Sequence, residues 1–382
     1  MPPRWDIFCK VVDNFGDAGV CWRLARQLAR EHALDPTLWL DDPAVLARIA
    51  SGIDAHAPYQ RVDGVGVRRW TEPLPPSESP SAVIEAFGCG LPDNYVRALA
   101  ARPTPPPWIV LEYLSAEAWI ERTHGLPSPH PKLPIARWFW FPGFTTGTGG
   151  LLRERGLLDA RDAFRAEVEA GSRLWPSLRM DPPPPGDTRV LLFCYPNPAL
   201  PDLLDAWADG ESAVTCIIPE GVAAGALDRW TGGNVPHPRH PVVRGRLTVH
   251  SVPFVDQLTF DRVLWSCDVN FVRGEDSFVR AQWAARPFVW HIYPQAERAH
   301  WAKLEAFLDR HLDGADPAAA SAQRRLWGAW NGDTRCGPVA EAWHEFVGVR
   351  VLLARHDEAW ARRQAALPDL ASGLVRAFGK LV

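Results

Sequence analysis

The sequence predicts an α/β protein of two similar-sized domains followed by a helical tail. Three observations carry this. Short apolar strand-like runs alternate with amphipathic helix-like runs in both halves, a four-proline run interrupts the alternation at 181–186, and the stretch after Gln295 shows helical patterning alone. With 382 residues, 47% hydrophobic and 23% charged, the chain is long enough to bury more than one core.

The first apolar segment, Trp5 to Val12, runs into Asp13-Asn14-Phe15-Gly16-Asp17-Ala18-Gly19, which reads as strand then loop. From Val20 to Glu31, Val20, Leu24 and Leu28 recur every four positions with arginines between them, the pattern of an amphipathic helix. TLWLDD at 37–42 reads as strand and PAVLARIA at 43–50 as helix, and the apolar runs 81–89 and 108–114 continue a parallel-sheet alternation. Between Arg122 and Asp187 the pattern loosens, and DPPPPG at 181–186 is a stiff spacer rather than an element. It sets expected domains of 1–180 and 187–360, with a last helix at 361–382 able to pack back on the first domain. The alternation restarts with VLLFCY (190–195), a helix at 201–208, VTCIIP (214–219), LTVHSVPFV (247–255), FDRVLWSC (260–267), DVNFVRG (268–274), a helix from Glu275, and PFVWHIY (287–293). In such sheets ligands bind beyond the carboxyl ends of the strands, so a cleft between facing sheets is expected and strand-to-helix turns carry most weight.

Composition removes several function classes. A net charge of −4 supplies no basic field for nucleic acid or an anionic membrane surface. The start, MPPRWDIFCK, has no long apolar core behind it and no run of 18 apolar residues follows, so the chain reads as soluble, unexported and cytoplasmic. Seven cysteines, with no C-x-x-C pair, read as buried reduced thiols. His237/His240 and His291/His300 lack nearby cysteine partners, so no metal site is expected. Lysine occurs only as Lys10, Lys132, Lys303 and Lys380, which leaves arginine as nearly all of the 41 basic residues, and most of the 19 tryptophans read as core.

Four constellations can carry chemistry. Asp13 and Asp17 flank a glycine turn between the first strand and the first long helix. Either Asp17 caps the helix and Asp13 satisfies turn donors, or the two carboxylates face the mouth of a cleft as a pair. In Phe271-Val272-Arg273-Gly274-Glu275-Asp276-Ser277, a strand ends in Arg-Gly and a helix opens on Glu275, Asp276 and Ser277. Its N–H groups, with Arg273 and Arg280, can receive a phosphate that Gly274 lets approach closely, whereas the acidic residues are equally ordinary first-turn chemistry. Phe193 and Tyr195, with Gln257 after a later strand, can stack on and hydrogen-bond a nucleobase, or simply pack one face of a strand. The loop Gly143 to Gly150 is rich in glycine and threonine but lacks the G-K-[ST] ending of a P-loop, so it either closes over a ligand or serves as a linker-side loop. No D-x-D, H-E-x-x-H or G-x-S-x-G occurs, which argues against metal-held diphosphate, zinc protease and hydrolase readings.

On WDIFCKVVDNFGDAGVCWRLARQLA, FVRGEDSFVRAQWAARPFVWHIYPQ and FPGFTTGTGGLL, the sequence resembles the bacterial protein-arginine rhamnosyltransferases that modify elongation factor P, the EarP family. Ala18 departs from a bulkier aliphatic usual in that turn, a matter of packing rather than of charge. The resemblance implies a GT-B glycosyltransferase of two Rossmann-like domains that inverts the anomeric centre. It implies transfer of L-rhamnose from dTDP-β-L-rhamnose to a guanidinium nitrogen of elongation factor P, without cofactor or metal. By motif match Asp13, Asp17 and Glu275 would be the catalytic carboxylates, and Phe193, Tyr195, Gln257, Asp276 and Ser277 would bind the nucleotide sugar, joined by Arg273 and Gly274 from the anion-site reading. A glycosyltransferase with a small-molecule acceptor, a nucleotide-sugar epimerase and a non-catalytic elongation factor P binder are the alternatives. A fragment beginning near Gly186 is expected to hold the nucleotide by itself.

Overall fold

The computed structural model describes residues 2–12, 15–71, 74, 80–295 and 299–379. By contacts the chain divides into two compact units, Met1–Arg155 with Gln364–Val382, and Gly156–Arg363.

The first unit runs β1 (Arg4–Cys9), α1 (Gly16–His32), β2 (Asp35–Leu40), α2 (Pro43–Ile49), β3 (Tyr59–Val62), β4 (Val65–Arg69), β5 (Ala82–Ala86), α3 (Asp93–Ala100), β6 (Trp108–Leu111), α4 (Ile120–Thr123), β7 (Pro127–Pro129) and β8 (Ala136–Trp140). Among the described residues these strands form one sheet, ordered β3-β4-β2-β1-β5-β6-β8-β7, parallel except at its two edge strands. β1 is central: Ile7 registers with Leu38 of β2 on one side and Ile84 of β5 on the other. Both its faces are covered, so it reads as the nearly continuous apolar run seen in the sequence. The chain builds outward from β1 through β2 and then returns to β5, so the order reverses between β1 and β5. Loops leaving those two strands border the crevice where open α/β sheets bind ligands.

The second unit begins with α5 (Leu157–Ala166) and α6 (Val168–Ser177), then runs β9 (Thr188–Leu192), α7 (Leu200–Ala208), β10 (Val214–Pro219), α8 (Ala224–Thr231), β11 (Val242–Arg244), β12 (Leu247–Val252), α9 (Gln257–Ser266), β13 (Val269–Arg273), α10 (Asp276–Ala284) and β14 (Phe288–His291). Its sheet is ordered β11-β12-β10-β9-β13-β14, parallel but for β11, and the order reverses between β9 and β13. α11 (His300–His311), α12 (Pro317–Trp330) and α13 (Val339–Gly348) follow, then α14 (Arg350–Ala365) and α15 (Leu370–Phe378). Phe288, Phe307 and Trp327 pack as a buried aromatic core between β14 and these helices, and Trp5, Trp22, Trp39, Trp207 and Trp283 are also fully buried.

The domain division does not follow the proline run. Residues 156–180 belong with the second unit, because Arg161 donates to the Trp283 carbonyl at 2.8 Å and Phe164 packs edge-on against Trp265 at 5.6 Å. From Gln364 the chain clusters with the first unit: Leu370 N–H donates to Leu151 O at 2.9 Å, and Gln27 Nε2 donates to Asp369 Oδ1 at 2.9 Å. No cysteine is in a disulfide. No helix among the described residues is long and apolar enough to cross a membrane.

Candidate functional site

In the first unit, α1 begins at Gly16, four residues earlier than the apolar repeat announced, and Phe15 stands at its cap without a side-chain bond. Asp17 is therefore a first-turn residue rather than the cap. Its carboxylate is 2% exposed, and Oδ2 accepts the Val12 N–H at 2.9 Å, tying the helix start back to the strand exit. Asp13 lies outside the described residues. Ala18 is fully buried behind Asp17. The glycine-threonine loop is packed at both ends, with Thr146 and Gly147 exposed between them. A side chain at Gly149 would strike the Trp140 indole, and one at Gly150, whose φ is +76°, would strike the Pro368 carbonyl, so these glycines seat the tail.

In the second unit the predicted nucleotide residues come together at the β9/β13 switch point. Phe193 follows β9 directly, and its N–H donates to Phe271 O of β13 at 2.9 Å. The Arg273 guanidinium, at the end of β13, lies 4.7 Å from the Phe193 ring centroid and 4.8 Å from that of Tyr195. Two aromatic faces thus hold a cation at the carboxyl edge of the sheet. Gly274 turns the chain with φ +61°, a conformation open to glycine, and its carbonyl accepts the Trp290 indole N–H at 2.9 Å. Glu275 stands at the cap of α10, where its carbonyl accepts the Val279 N–H at 3.0 Å. The Ser277 hydroxyl donates to the Arg273 carbonyl and accepts the Arg273 N–H at 3.2 Å, so the turn is locked from within the helix. Gln257 opens α9, and its Nε2 donates to Asp276 Oδ2 at 2.9 Å, joining the starts of α9 and α10.

Arg280 does not join this group. It is 2% exposed and lies in a buried pair with Asp261, Nε to Oδ1 at 3.0 Å and Nη2 to Oδ2 at 2.7 Å. It braces α10 against α9. The structure adds aromatic residues the motif reading missed. Phe260 meets Phe193 edge-on at 5.4 Å, while His291 and Tyr293 meet Tyr195 edge-on at 5.3 and 5.4 Å. The signal for His291 and Tyr293 was present in PFVWHIY, because β14 had to lie beside β13 for the sheet to continue, whereas Phe260 comes from α9. Burial, then the neighbouring Arg273 and His300, pull His291 down to about 4, so this imidazole is neutral at pH 7. The site is thus an aromatic-lined edge where Arg273 lies beside the positive end of α10, with Glu275 and Asp276 as acidic neighbours, and the arginine and the helix start can meet a diphosphate while the rings meet a base.

Comparison with known proteins agrees in kind. The family model described as Elongation-Factor P (EF-P) rhamnosyltransferase EarP matches residues 5–379. A protein-arginine rhamnosyltransferase of Pseudomonas putida is 48% identical over 378 residues, covering 99% of both chains, and one of Pseudomonas aeruginosa is 44% identical over 374 residues, covering 98% of both. A solved structure described as the basis for EarP-mediated arginine glycosylation of translation elongation factor EF-P superposes with a TM-score of 0.70 at 36% identity, covering 99% of both chains. MurG of Acinetobacter baumannii, 13% identical with a TM-score of 0.53 over the whole of both chains, shares the fold alone. The two sheets, each with its reversal of strand order, are those of the GT-B fold. The chain belongs to the EF-P rhamnosyltransferase EarP family and is a glycosyltransferase.

Proposed function

We propose that this enzyme transfers L-rhamnose from dTDP-β-L-rhamnose to an arginine side chain of elongation factor P, with inversion at the anomeric carbon and in the cytoplasm. The observation that carries the reading is the family match across residues 5–379, which takes in both switch points. The geometry supports it from the donor side. Phe193, Tyr195 and Gln257 are suited to the thymidine, while Arg273, Gly274, Asp276 and Ser277 frame the diphosphate beside the start of α10.

An arginine guanidinium has a pKa above about 12 and a delocalised lone pair, so it is a poor nucleophile at neutral pH. Two carboxylates can hydrogen-bond different edges of it, localise the pair on one nitrogen and accept the proton released as the carbon–nitrogen bond forms. In this mechanism Asp17 is the base and Asp13 the clamp. The bond between the anomeric carbon and the phosphate oxygen breaks as the new one forms, and dTDP departs with the electron pair. Arg273 and the positive end of α10 meet its growing charge. Negative charge nearby stabilises an oxocarbenium-like transition state, and Glu275 is assigned to the sugar side of the site.

Incubating the protein with elongation factor P and dTDP-L-rhamnose, followed by intact-mass analysis, should show one deoxyhexose added. An unchanged acceptor mass would overturn the reading. The same reaction should proceed undiminished in EDTA, since helix N–H groups and Arg273 take the place of a metal on the diphosphate. Loss of transfer restored by magnesium or manganese would sink that part of the mechanism.

A further inference from the structure

At the amino ends of β9 and β10, the edge of the second sheet away from Phe193 and Arg273, lies a cavity of about 420 Å³ whose walls include Thr188, Trp207, Asp209, Glu211, Val214 and Trp343. That volume is in the range that holds a small organic molecule. Thr188 and Val214 are paired across the two strands, and Trp207 of α7 meets Trp343 of α13 edge-on at 5.3 Å. Trp207 is 1% exposed, yet its indole N–H has no acceptor among the described residues. A buried donor without a partner forfeits its hydration and receives nothing in return, so native structures keep few of them. This one stands on the wall of a cavity large enough for a molecule that brings an acceptor.

Charge around the cavity is divided. Asp209 and Glu211 belong to the connection from α7 to β10, both are exposed, and neither carboxylate has an ionic partner among the described residues. The carboxyl end of α7, at Ala208, adds partial negative charge on the same side. The cation stands across β9: Arg350, at the start of α14, donates from Nη1 to Thr188 Oγ1 at 3.0 Å. Asp268 at the foot of β13 also feels this charge, but its carboxylate already takes Nε and Nη2 of Arg189 at 3.0 Å each, so Arg350 is a surplus cation. The end of α13 at Gly348 and the start of α14 lie two residues apart, so their end charges offset. His344, exposed, is the remaining titratable group on the lining. Adjacent strands are about 4.8 Å apart, so carboxylates leading into β10 and a guanidinium between β9 and β13 are held roughly 5–10 Å from one another.

From this we infer that the cavity binds a small organic zwitterion whose two charges stand apart on an apolar body. Its ammonium lies toward Asp209 and Glu211, its carboxylate toward Arg350 and the Trp207 N–H, and its apolar body against Val214 and the two indoles. A molecule with one charge leaves one side of the cavity unanswered, and a nucleoside diphosphate would meet the two carboxylates. The site lies at the opposite edge of the sheet from the donor residues and does not depend on the activity proposed above.

Calorimetry on the full-length protein tests it, with dTDP in excess so that the β9/β13 site is occupied throughout. The probe is para-aminomethylbenzoate, which carries both charges across one ring; benzylamine and para-methylbenzoate carry one each. The zwitterion should bind with a Kd of about 1 mM or tighter, and each singly charged analogue about tenfold more weakly or worse. Asp209→Asn combined with Glu211→Gln, both at exposed positions, should weaken the zwitterion about tenfold. Trp207→Phe, which keeps a ring and removes the N–H, should weaken it about fivefold. No saturable heat up to about 20 mM zwitterion, equal binding by either analogue, or unchanged affinity in the folded carboxamide double variant overturns the inference. If Trp207→Phe fails to fold, that surface double variant decides alone.

Discussion

Asp17 has two jobs that one substitution separates. Its carboxylate holds the Val12 N–H at 2.9 Å, which an amide oxygen can also do, and in the proposed mechanism it takes a proton, which an amide cannot. Asp17→Asn, and likewise Asp13→Asn, should therefore reduce turnover about 10²-fold or more with dTDP affinity nearly unchanged and little loss of melting temperature. Near-parental turnover in both variants would remove the carboxylate pair from the mechanism. His291 gives a second test, through pH. Its native pKa of about 4 lies below the ordinary 6.5, so the unfolded chain takes up a proton that the native protein refuses between those values. The contribution is whole above pH 6.5 and declines as pH falls toward 4, by up to about 3 kcal/mol at roughly 1.4 kcal/mol per pKa unit. The stability difference between the parent and His291→Gln should thus vary with pH across that window and level off above it; a difference independent of pH would mean that His291 is protonated equally in both states. Single residues were legible in the sequence where a turn between strand and helix made their position plain, as with Asp17, Phe193 and Gly274. Arg280 was misread because its partner, Asp261, sits on another helix, and nothing in the local pattern around Arg280 shows that the pair is buried.

Between α9 and α10 that buried pair acts as a brace. Both side chains are 2% exposed, so removing one charge takes a two-pronged ionic partner from the other while it stays desolvated. Asp261→Asn should lower stability by about 3–5 kcal/mol in urea unfolding, whereas replacing both residues by leucine should restore much of it. If Asp261→Asn were neutral, Arg280 would have to find another anion, and the brace would lose its meaning. Elements with a full apolar repeat were legible, because β1, β9 and β13 are covered on both faces, and α1 kept its apolar repeat although it is buried on every side from Asp17 to Leu28, Arg23 and Arg26 included. The edge strand β3 and its neighbour β4 were not: YQRV alternates exposed with half-buried residues, and VGVRR ends in arginines, so neither is an apolar run. α1 starts four residues before its first apolar repeat because Gly16 and Asp17 are helical for reasons of connection, Asp17 bonding back to Val12, rather than of amphipathicity.

At the scale of the molecule, a proline run marks a change of pattern but not the boundary between the two compact units. The stretch 156–180 lies before the prolines, yet its hydrogen bonds and apolar faces belong to the second unit. Arg161 satisfies the Trp283 carbonyl, Arg165 the Ala284 carbonyl, and both carbonyls lie at the end of α10, where no further turn of helix can reach them. Phe164 covers Trp265, and Leu174, Trp175, Leu178 and Met180 are buried. A fragment beginning near Gly186 would expose all of this and leave the end of α10 without partners. A fragment of residues 156–365 keeps it, completes α14 and contains Phe193, Tyr195, Gln257, Arg273 and the start of α10. It should unfold cooperatively and bind dTDP in calorimetry within about threefold of the whole protein, under ~1 kcal/mol. The shorter fragment, 187–365, should be several kcal/mol less stable, at about 1.5–3 kcal/mol for each large apolar side chain returned to water, or fail to fold. Equal stability of the two would show that α5 and α6 contribute nothing to the second unit. A folded 156–365 fragment that gave no heat with dTDP would refute the assignment of the nucleotide to the β9/β13 switch point, whatever the intact enzyme does.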